Sequence, residues 1–432
     1  MMKMKARYIM VLAALCGATA AGVGLTTNIA GLFFTPIAES FGVGRGSVSL
    51  TMTLCNLLFA VGGVVTGRLL SEKRFRSVLI FSAAVTVCAT ALLAMCNNVW
   101  LMYALNIIRG FSTGLTGVVM TTMVVNNWFH ASNGTMTSIV MGCSGLASAI
   151  FSPIFSSIIQ AVGWRTAYLV SAGLMVLLYL PLILLPIGFT PAFVGDIPYG
   201  ETERSMEIAA AKAAANAAGS TAATKKGAAK NPAGAEGSPA GNRTKVSLAL
   251  VLIVALYATM GGLLTAVVQH FPGVSESYGL GAGVGAAMLS ASMIANTSGK
   301  LILGVLIDHI GVKKGILTMV AAITLGILAI LFIHAGFALI LGAALIGLAY
   351  SIATVGVVMM TRETFGVENY GTVYPIVSLC TTVSYAIYAA MIGFIYDHLQ
   401  SYTLIFWLMI IFIGITVLCV FLTQQKKAAS QK

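Results

Sequence analysis

The sequence predicts an all-α membrane protein in which twelve transmembrane helices form two pseudo-symmetric six-helix bundles. The composition, the number of long apolar runs and an internal repeat support this fold class. Hydrophobic residues make up 58% of the 432 residues and charged residues only 8%, whereas a soluble domain carries about 25% charged residues. So few charges could not cover the surface of a soluble protein, and much of the surface must therefore face lipid.

Twelve apolar runs are long enough to cross a bilayer, which takes roughly 20 residues. The first run follows Lys3, Lys5 and Arg7 and is longer than the apolar core of a signal peptide, so we interpret it as a helix. Six runs precede a polar gap and six follow it, near 9–37, 47–70, 77–96, 99–125, 134–161, 166–189, 247–271, 282–307, 315–333, 336–360, 371–396 and 402–423.

The gap has a different composition from the runs on either side. It is rich in Ala, Gly and Lys and has almost no branched or aromatic side chains to bury, which is typical of a flexible linker. The sequence therefore divides into an N-terminal bundle (1–189), a cytoplasmic linker (190–246), a C-terminal bundle (247–423) and a cytoplasmic tail (424–432).

Lys and Arg residues are concentrated on one side of the predicted helices. If the chain starts in the cytoplasm, the loops on the opposite side contain only Arg45 and Arg165. Because basic loops stay cytoplasmic, we expect a multi-pass protein of the plasma membrane with both termini in the cytoplasm. The net charge is +12, and the basic residues lie in short segments between apolar runs and not on one face of a polar domain. Nucleic acid is therefore not an expected partner.

The two halves repeat with a constant register. Residues 34–44 (FTPIAESFGVG) align with residues 271–281 (FPGVSESYGLG) at an offset of 237. The same offset places Gly67 on Gly304 and Ser71 on Asp308 without a gap. Both halves have the same predicted topology, so the sequence predicts a parallel repeat about an axis along the membrane normal.

The second copy of this repeat resembles the loop signature of the major facilitator superfamily, and the first copy is degenerate because Ser stands in place of Asp. The resemblance implies the major facilitator fold and secondary transport as the activity. It also implies that this loop takes part in gating. The residues concerned are Gly304, Asp308, Gly311, Lys313 and Lys314 in the second copy, and Gly67 and Ser71 in the first.

Other segments resemble the oxalate/formate antiporter and monocarboxylate transporter branch of that superfamily. These segments are 127–129 (NWF), 142–145 (GCSG), 163–168 (GWRTAY), 365–366 (FG) with 370–371 (YG), and 393–397 (GFIYD).

Two cations lie deep in predicted helices: Arg109 in the fourth and Lys300 in the eighth. A charge at mid-bilayer costs about 2.5–3.5 kcal/mol on insertion scales, and no Asp or Glu lies at the centre of a predicted helix. A transported anion could supply the missing counter-charge. The alternatives are that Arg109 bonds Asn106 or backbone carbonyls, and that Lys300 extends toward the cytoplasm near Asp308.

The resemblance makes Lys300 the stronger candidate. It occupies the eighth-helix position where this branch commonly has a substrate-binding Arg, although Lys offers a point charge and not a planar fork. Oxalate transporters also carry a basic residue in the eleventh helix, whereas 371–396 contains no Lys or Arg. A single cation suits a monocarboxylate better than a dicarboxylate.

Neutral polar residues could line the same cavity, although most such residues in membranes serve helix packing. The candidates are Asn28, Asn296, Tyr385 and Tyr388. His270, near the end of the seventh predicted helix, could carry a coupling proton. The alternative is a partly exposed histidine at the membrane interface.

Together these residues predict a secondary active transporter of small organic anions, with monocarboxylates favoured, that works by alternating access. The sequence is compatible with two coupling modes. Proton symport is common in the family that the chain resembles, whereas the peripheral position of the acidic residues favours anion exchange. A drug or cation exporter would be expected to have a carboxylate in its cavity, and a transporter-derived receptor would be expected to have an appended domain. No nucleotide-binding or zinc-protease motif occurs, so we expect no enzyme, cofactor or metal, and a monomer.

Overall fold

The computed structural model describes residues 6–130, 133–201 and 247–430. These residues form helices and short turns, and their β-structure is limited to an isolated bridge between Phe129 and Tyr199. Ten helical segments among the described residues are long and apolar enough to cross a membrane. Eight of them are single crossings, which we label α1 (Ala6–Asn28), α2 (Arg45–Gly67), α3 (Glu72–Leu93), α4 (Val99–Trp128), α7 (Leu248–Ser277), α10 (Gly336–Gly366), α11 (Val373–Leu399) and α12 (Thr403–Thr423).

The other two segments, Thr135–Leu184 and Gly281–Phe332, have 50 and 52 residues, more than twice the length of one crossing. Each is broken by a glycine with positive φ, at Gly163 (φ 86°) and Gly311 (φ 83°), a backbone region that favours glycine. The breaks divide the two segments into α5 and α6 (135–162 and 164–184) and α8 and α9 (281–310 and 312–332). The described residues thus make twelve crossings, which confirms the predicted fold class.

The internal repeat is visible in the backbone at the same offset of 237. In the first half a short 3₁₀ turn, Ala30–Phe33, leads into the helix Phe34–Phe41, and in the second half Val267–His270 leads into Phe271–Ser277. The positive φ of Gly42 (63°) recurs at Gly279 (73°). The two halves therefore share their irregular features as well as their helices.

The start of the predicted linker packs beneath the first bundle. Asp196 forms an ion pair of 2.6 Å with Arg7, and the hydroxyl of Tyr8 donates to the carbonyl of Ile197 at 2.8 Å. The amide of Tyr199 donates to the carbonyl of Trp128 at 2.8 Å. Residues 190–201 thus form a strap on the N-terminal bundle, while 202–246 and the end of the predicted tail, 431–432, lie outside the described residues.

Among the described residues, the hydrogen bonds between the two halves lie mainly toward one end of the molecule. We call the face where α1 begins and α12 ends the proximal face, and the opposite face the distal face. Between fully described residues, the hydrogen bonds that join the halves extend from the distal face down to Thr297 of α8. They pair Gly31 with Gln269, Asn28 with Gln269, Arg45 with Gly273, Glu276, Asp397 and Tyr402, Gly46 with Asp397, Thr53 with Ala386, Ser156 with Ala282, and Gly142 with Thr297.

Two glycines of the loop motif lie toward the proximal face, near the ends of α2 and α8. A Cβ atom added to Gly67 of α2 or to Gly304 of α8 would meet nothing within 4 Å. The close helix approach that a glycine permits is therefore not made at either position in this conformation.

Candidate functional site

Lys300 lies on the face of α8 that contacts α5 one turn earlier in the helix. Met293, Thr297 and Lys300 share one face of α8, because residues four and seven apart on a helix align. This face packs on α5 of the first half: Thr297 Oγ1 donates to the carbonyl of Gly142 at 3.4 Å. A Cβ on Gly145 would overlap Thr297 and approach the Met293 carbonyl, so the glycine-rich segment of α5 lets the two helices come close.

Lys300 is the next residue on this face in the proximal direction, and its side chain is half-buried. Among the described residues it forms no hydrogen bond or ion pair. Asp308, about two turns further on, is exposed and forms no ion pair with it. Lys300 is thus a cation without a partner among the described residues, one helical turn from the α5–α8 contact at Thr297.

Arg109 is buried inside the first bundle, with 2% of its surface exposed. Its Nη2 atom donates to Asn106 Oδ1 at 2.7 Å and lies 3.9 Å from the sulfur of Met52. Its Nε atom has no hydrogen-bond partner, and no described acidic residue pairs with it. The partners of Arg109 all belong to the first half, and the structure does not bring it into contact with Lys300.

A polar residue that sequence analysis did not single out, Gln269, links the first helices of the two halves. It is 1% exposed. Its Oε1 atom accepts from the amide of Gly31 at 3.1 Å, and its Nε2 atom donates to the carbonyl of Asn28 at 3.4 Å. Asn28 also donates through Nδ2 to the carbonyl of Ser144 at 3.4 Å. The candidate Asn28 thus sits at the junction of the halves.

The two candidate tyrosines of α11 lie in different surroundings. Tyr385 lies beside Gln269 and Tyr350, so it belongs to the cluster at the junction. The ring centroid of Tyr388 lies 6.1 Å from that of Phe412 in α12, and Tyr388 packs on that helix. Tyr350, which sequence analysis missed, comes shortly before a π-helical turn, Ile352–Gly356; such turns are frequent at functional sites.

Asn296 and His270 are both buried. The Nδ2 atom of Asn296 lies 3.9 Å from the Met293 sulfur, while its Oδ1 atom has no partner. His270 donates from Nε2 to the carbonyl of Ala389 at 2.8 Å and is 2% exposed. The interpretation of His270 as a partly exposed interfacial residue is therefore wrong, because it is enclosed by the distal contact between the halves.

The loop motif lies at the proximal ends of α8 and α9. Gly311 supplies the positive φ that ends α8, and Lys313 Nζ lies 3.9 Å from the ring centroid of Phe421. Lys314 is exposed. In the first half, the carbonyl of Ser71 accepts from the amide of Phe75 at 2.9 Å, and its side chain makes no capping bond.

A twelve-helix bundle built from an internal repeat is an architecture common among secondary transporters. A family model supports this assignment: that of the Major Facilitator Superfamily matches residues 15–288 and 246–432. The chain belongs to the Major Facilitator Superfamily, and the superfamily resemblance predicted from its loop signature is confirmed.

Individual relatives are more distant. The chain is 25% identical over 145 residues to an oxalate:formate antiporter of Oxalobacter formigenes, a match to 33% of this chain and 34% of that protein. Among solved structures, a mutant of the nucleoside transporter NupG matches with a TM-score of 0.69 at 12% identity, over 96% of this chain and 99% of that one. The xylose transporter XylE from E. coli, in an inward-open conformation, matches with a TM-score of 0.67 at 13% identity, over 96% and 95%. At such low identity these structures show the shared fold only.

Proposed function

We propose that this transporter carries small organic anions, with monocarboxylates as the preferred class, and that Lys300 provides the counter-charge for the carboxylate. The observation that carries the proposal is the position of Lys300: half-buried, at the boundary between the halves, and without an acidic partner among the described residues. A carboxylate bound there would form a charge-assisted hydrogen bond, which is about twice as strong as a neutral one.

A single available cation supports the choice of monocarboxylates. Arg109 already donates to Asn106 within the first bundle, and 371–396 has no Lys or Arg. A dicarboxylate at Lys300 would leave its second negative charge without a cation. The relative from Oxalobacter formigenes is named for one dicarboxylate and one monocarboxylate, so both classes belong in the test.

The distribution of basic residues indicates which side of the membrane the site faces. Under the rule that basic loops stay in the cytoplasm, the proximal face is cytoplasmic and the protein lies in the plasma membrane with both termini inside. The described hydrogen bonds between the halves lie on the distal side, and we propose that this conformation opens toward the cytoplasm. We further propose that the monomer is sufficient, because the candidate residues lie on the two halves of one chain.

The test is uptake of labelled formate, lactate and oxalate by the purified protein in proteoliposomes. We expect Lys300→Ala to lower monocarboxylate uptake at least about tenfold, the value of one hydrogen bond to a charged group, and Lys300→Arg to retain part of it. Lys73→Ala, which removes an exposed cation at the start of α3, is the matched control and should transport normally. Normal uptake by Lys300→Ala would show that the charge is structural.

The same vesicles distinguish the two coupling modes. Exchange requires an anion inside the vesicle and should not respond to an imposed proton gradient. Symport should proceed into vesicles without internal anion when the outside is made acidic. Efflux of lipophilic cations without carboxylate transport would instead identify an exporter.

A further inference from the structure

Two pseudo-symmetric contacts close the distal face. In one, the end of α11 packs on the start of α2, and in the other, the end of α5 packs on the start of α8. The offset of 237 relates Asp397 of α11 to Gln160 of α5, and Arg45 of α2 to Ala282 of α8. If both contacts had the same function, the related residues should make related bonds.

The α2–α11 contact contains a helix cap supplied by the other half. The carboxylate of Asp397 accepts from the amide of Arg45 (Oδ1, 2.7 Å) and from the amide of Gly46 (Oδ2, 2.7 Å). The first amides of a helix have no partner within it, and the helix dipole favours a negative charge there. A Cβ on Gly44 would overlap this carboxylate, so the glycine makes room for the cap.

The side chain of Arg45 connects the same contact to α7 and to Tyr402, which immediately precedes α12. Its Nη2 atom forms an ion pair of 3.0 Å with Glu276, and Nη1 lies 3.3 Å from the hydroxyl of Tyr402. Its guanidinium carbon is 4.4 Å from the ring centroid of Tyr396. The side chain is largely shielded, with 15% exposure, so these interactions are screened less than those of a free surface pair.

The related α5–α8 contact lacks these charges. Gln160 donates from Nε2 to the carbonyl of Ser156 in its own helix at 3.2 Å. The described bond across this contact is a neutral one of 3.4 Å, from the hydroxyl of Ser156 to the carbonyl of Ala282. The distal closure is therefore asymmetric: one of the two related contacts is charged, and the other is held by a long neutral hydrogen bond.

We propose that Asp397 and Arg45 form a latch that holds the distal face closed and sets the balance between the two conformations of the transporter. The cap can be made only while α11 lies against α2. Separation of the halves on this face returns the carboxylate, the two amides and the guanidinium to water. The latch acts on the position of the halves and is independent of which substrate is carried.

Hydrogen exchange read by mass spectrometry, on the full chain in lipid nanodiscs, tests this directly. In Asp397→Asn, we expect the amides in the peptide containing Arg45 and Gly46 to exchange at least about tenfold faster, because charge-assisted bonds are lost. We also expect slower exchange in the proximal ends of α2 and α8, since opening one face closes the other. Gln160→Ala, at the related position, should change neither region.

Slower hydrogen exchange in the proximal ends of α2 and α8 is the result that distinguishes a latch from simple fraying of α2. If Asp397→Asn speeds exchange at residues 45–46 but leaves the proximal peptides unchanged, the carboxylate is only a local cap and the proposal fails. The proposal fails equally if Gln160→Ala has the same effects as Asp397→Asn. Arg45→Gln, which keeps the backbone amide and removes the ion pair, should shift both regions in the same direction as Asp397→Asn.

Discussion

Gly31 offers a test of how strongly the junction of the halves controls transport. A Cβ at this position would overlap the backbone carbonyl of Gln269 in the other half. Because the obstacle is backbone and not the end of a flexible side chain, Gly31→Ala must push α1 and α7 apart. Overpacking of this kind typically costs about 1–3 kcal/mol, and the cost applies only while the distal face is closed.

The expected consequence is a shift of the conformational balance by a factor of about 5 to 150, since 1.4 kcal/mol corresponds to a factor of ten. A transporter that must pass through the distally closed state should slow accordingly. The assay is exchange of a labelled monocarboxylate in proteoliposomes, together with the melting temperature in detergent.

Gly173→Ala is the matched control for this substitution. A Cβ at Gly173 in α6 meets nothing within 4 Å, so it should leave both the transport rate and the melting temperature unchanged. Wild-type transport by Gly31→Ala would refute the view that the halves must close tightly at this junction.

Three further substitutions test separate contacts. Gln269→Leu leaves the amide of Gly31 without its partner across the junction, and should lower the melting temperature and slow transport, whereas a purely local role would leave transport intact. Asn106→Leu removes the hydrogen bond to buried Arg109 and should destabilise the protein by about 1–3 kcal/mol, measured by thermal unfolding; no loss would mean that water replaces the amide. Burial raises the pKa of Tyr402 to about 12 from 10.0, so its contribution to stability should be complete below pH 10 and disappear as the pH rises toward 12. Alkaline unfolding curves should show this component in wild type and not in Tyr402→Phe.

Much of the fold could be predicted because it depends on local properties of the sequence. The number of crossings could be predicted from the length of the apolar runs. The pairs α5/α6 and α8/α9 are joined without a loop, but each pair was still predicted as two helices because Gly163 and Gly311 lie between two apolar runs. The repeat register could be read from the matching segments before α2 and α8. The same register also relates backbone features that composition alone does not predict, such as the 3₁₀ turns at 30–33 and 267–270.

The site was less accessible to sequence reasoning because its contacts join residues far apart in the chain. Gln269 bonds residues 28 and 31 of the other half, and nothing local to its sequence indicates that contact. A signal was present: Gln269 is polar where its repeat mate is Leu32, which could have marked a difference between the halves. Burial of His270 was missed for the same reason, since Phe34 and Ala389 cover it from distant segments.

The irregular turns at the end of α1 and directly after it determine where water must enter. The chain passes from a π-helical stretch, Ala20–Asn28, into the 3₁₀ turn Ala30–Phe33, and the amide of Leu32 bonds Ile29 instead of Asn28. The Asn28 carbonyl is thereby left without its helical partner, and Gln269 bonds both this carbonyl and the Gly31 amide. A lipid-buried peptide group cannot remain unsatisfied without a cost of several kcal/mol, so these two groups need new partners whenever the halves separate. Distal opening should therefore proceed together with the entry of water to the depth of Gly31, and a dry opening at this level would be disfavoured.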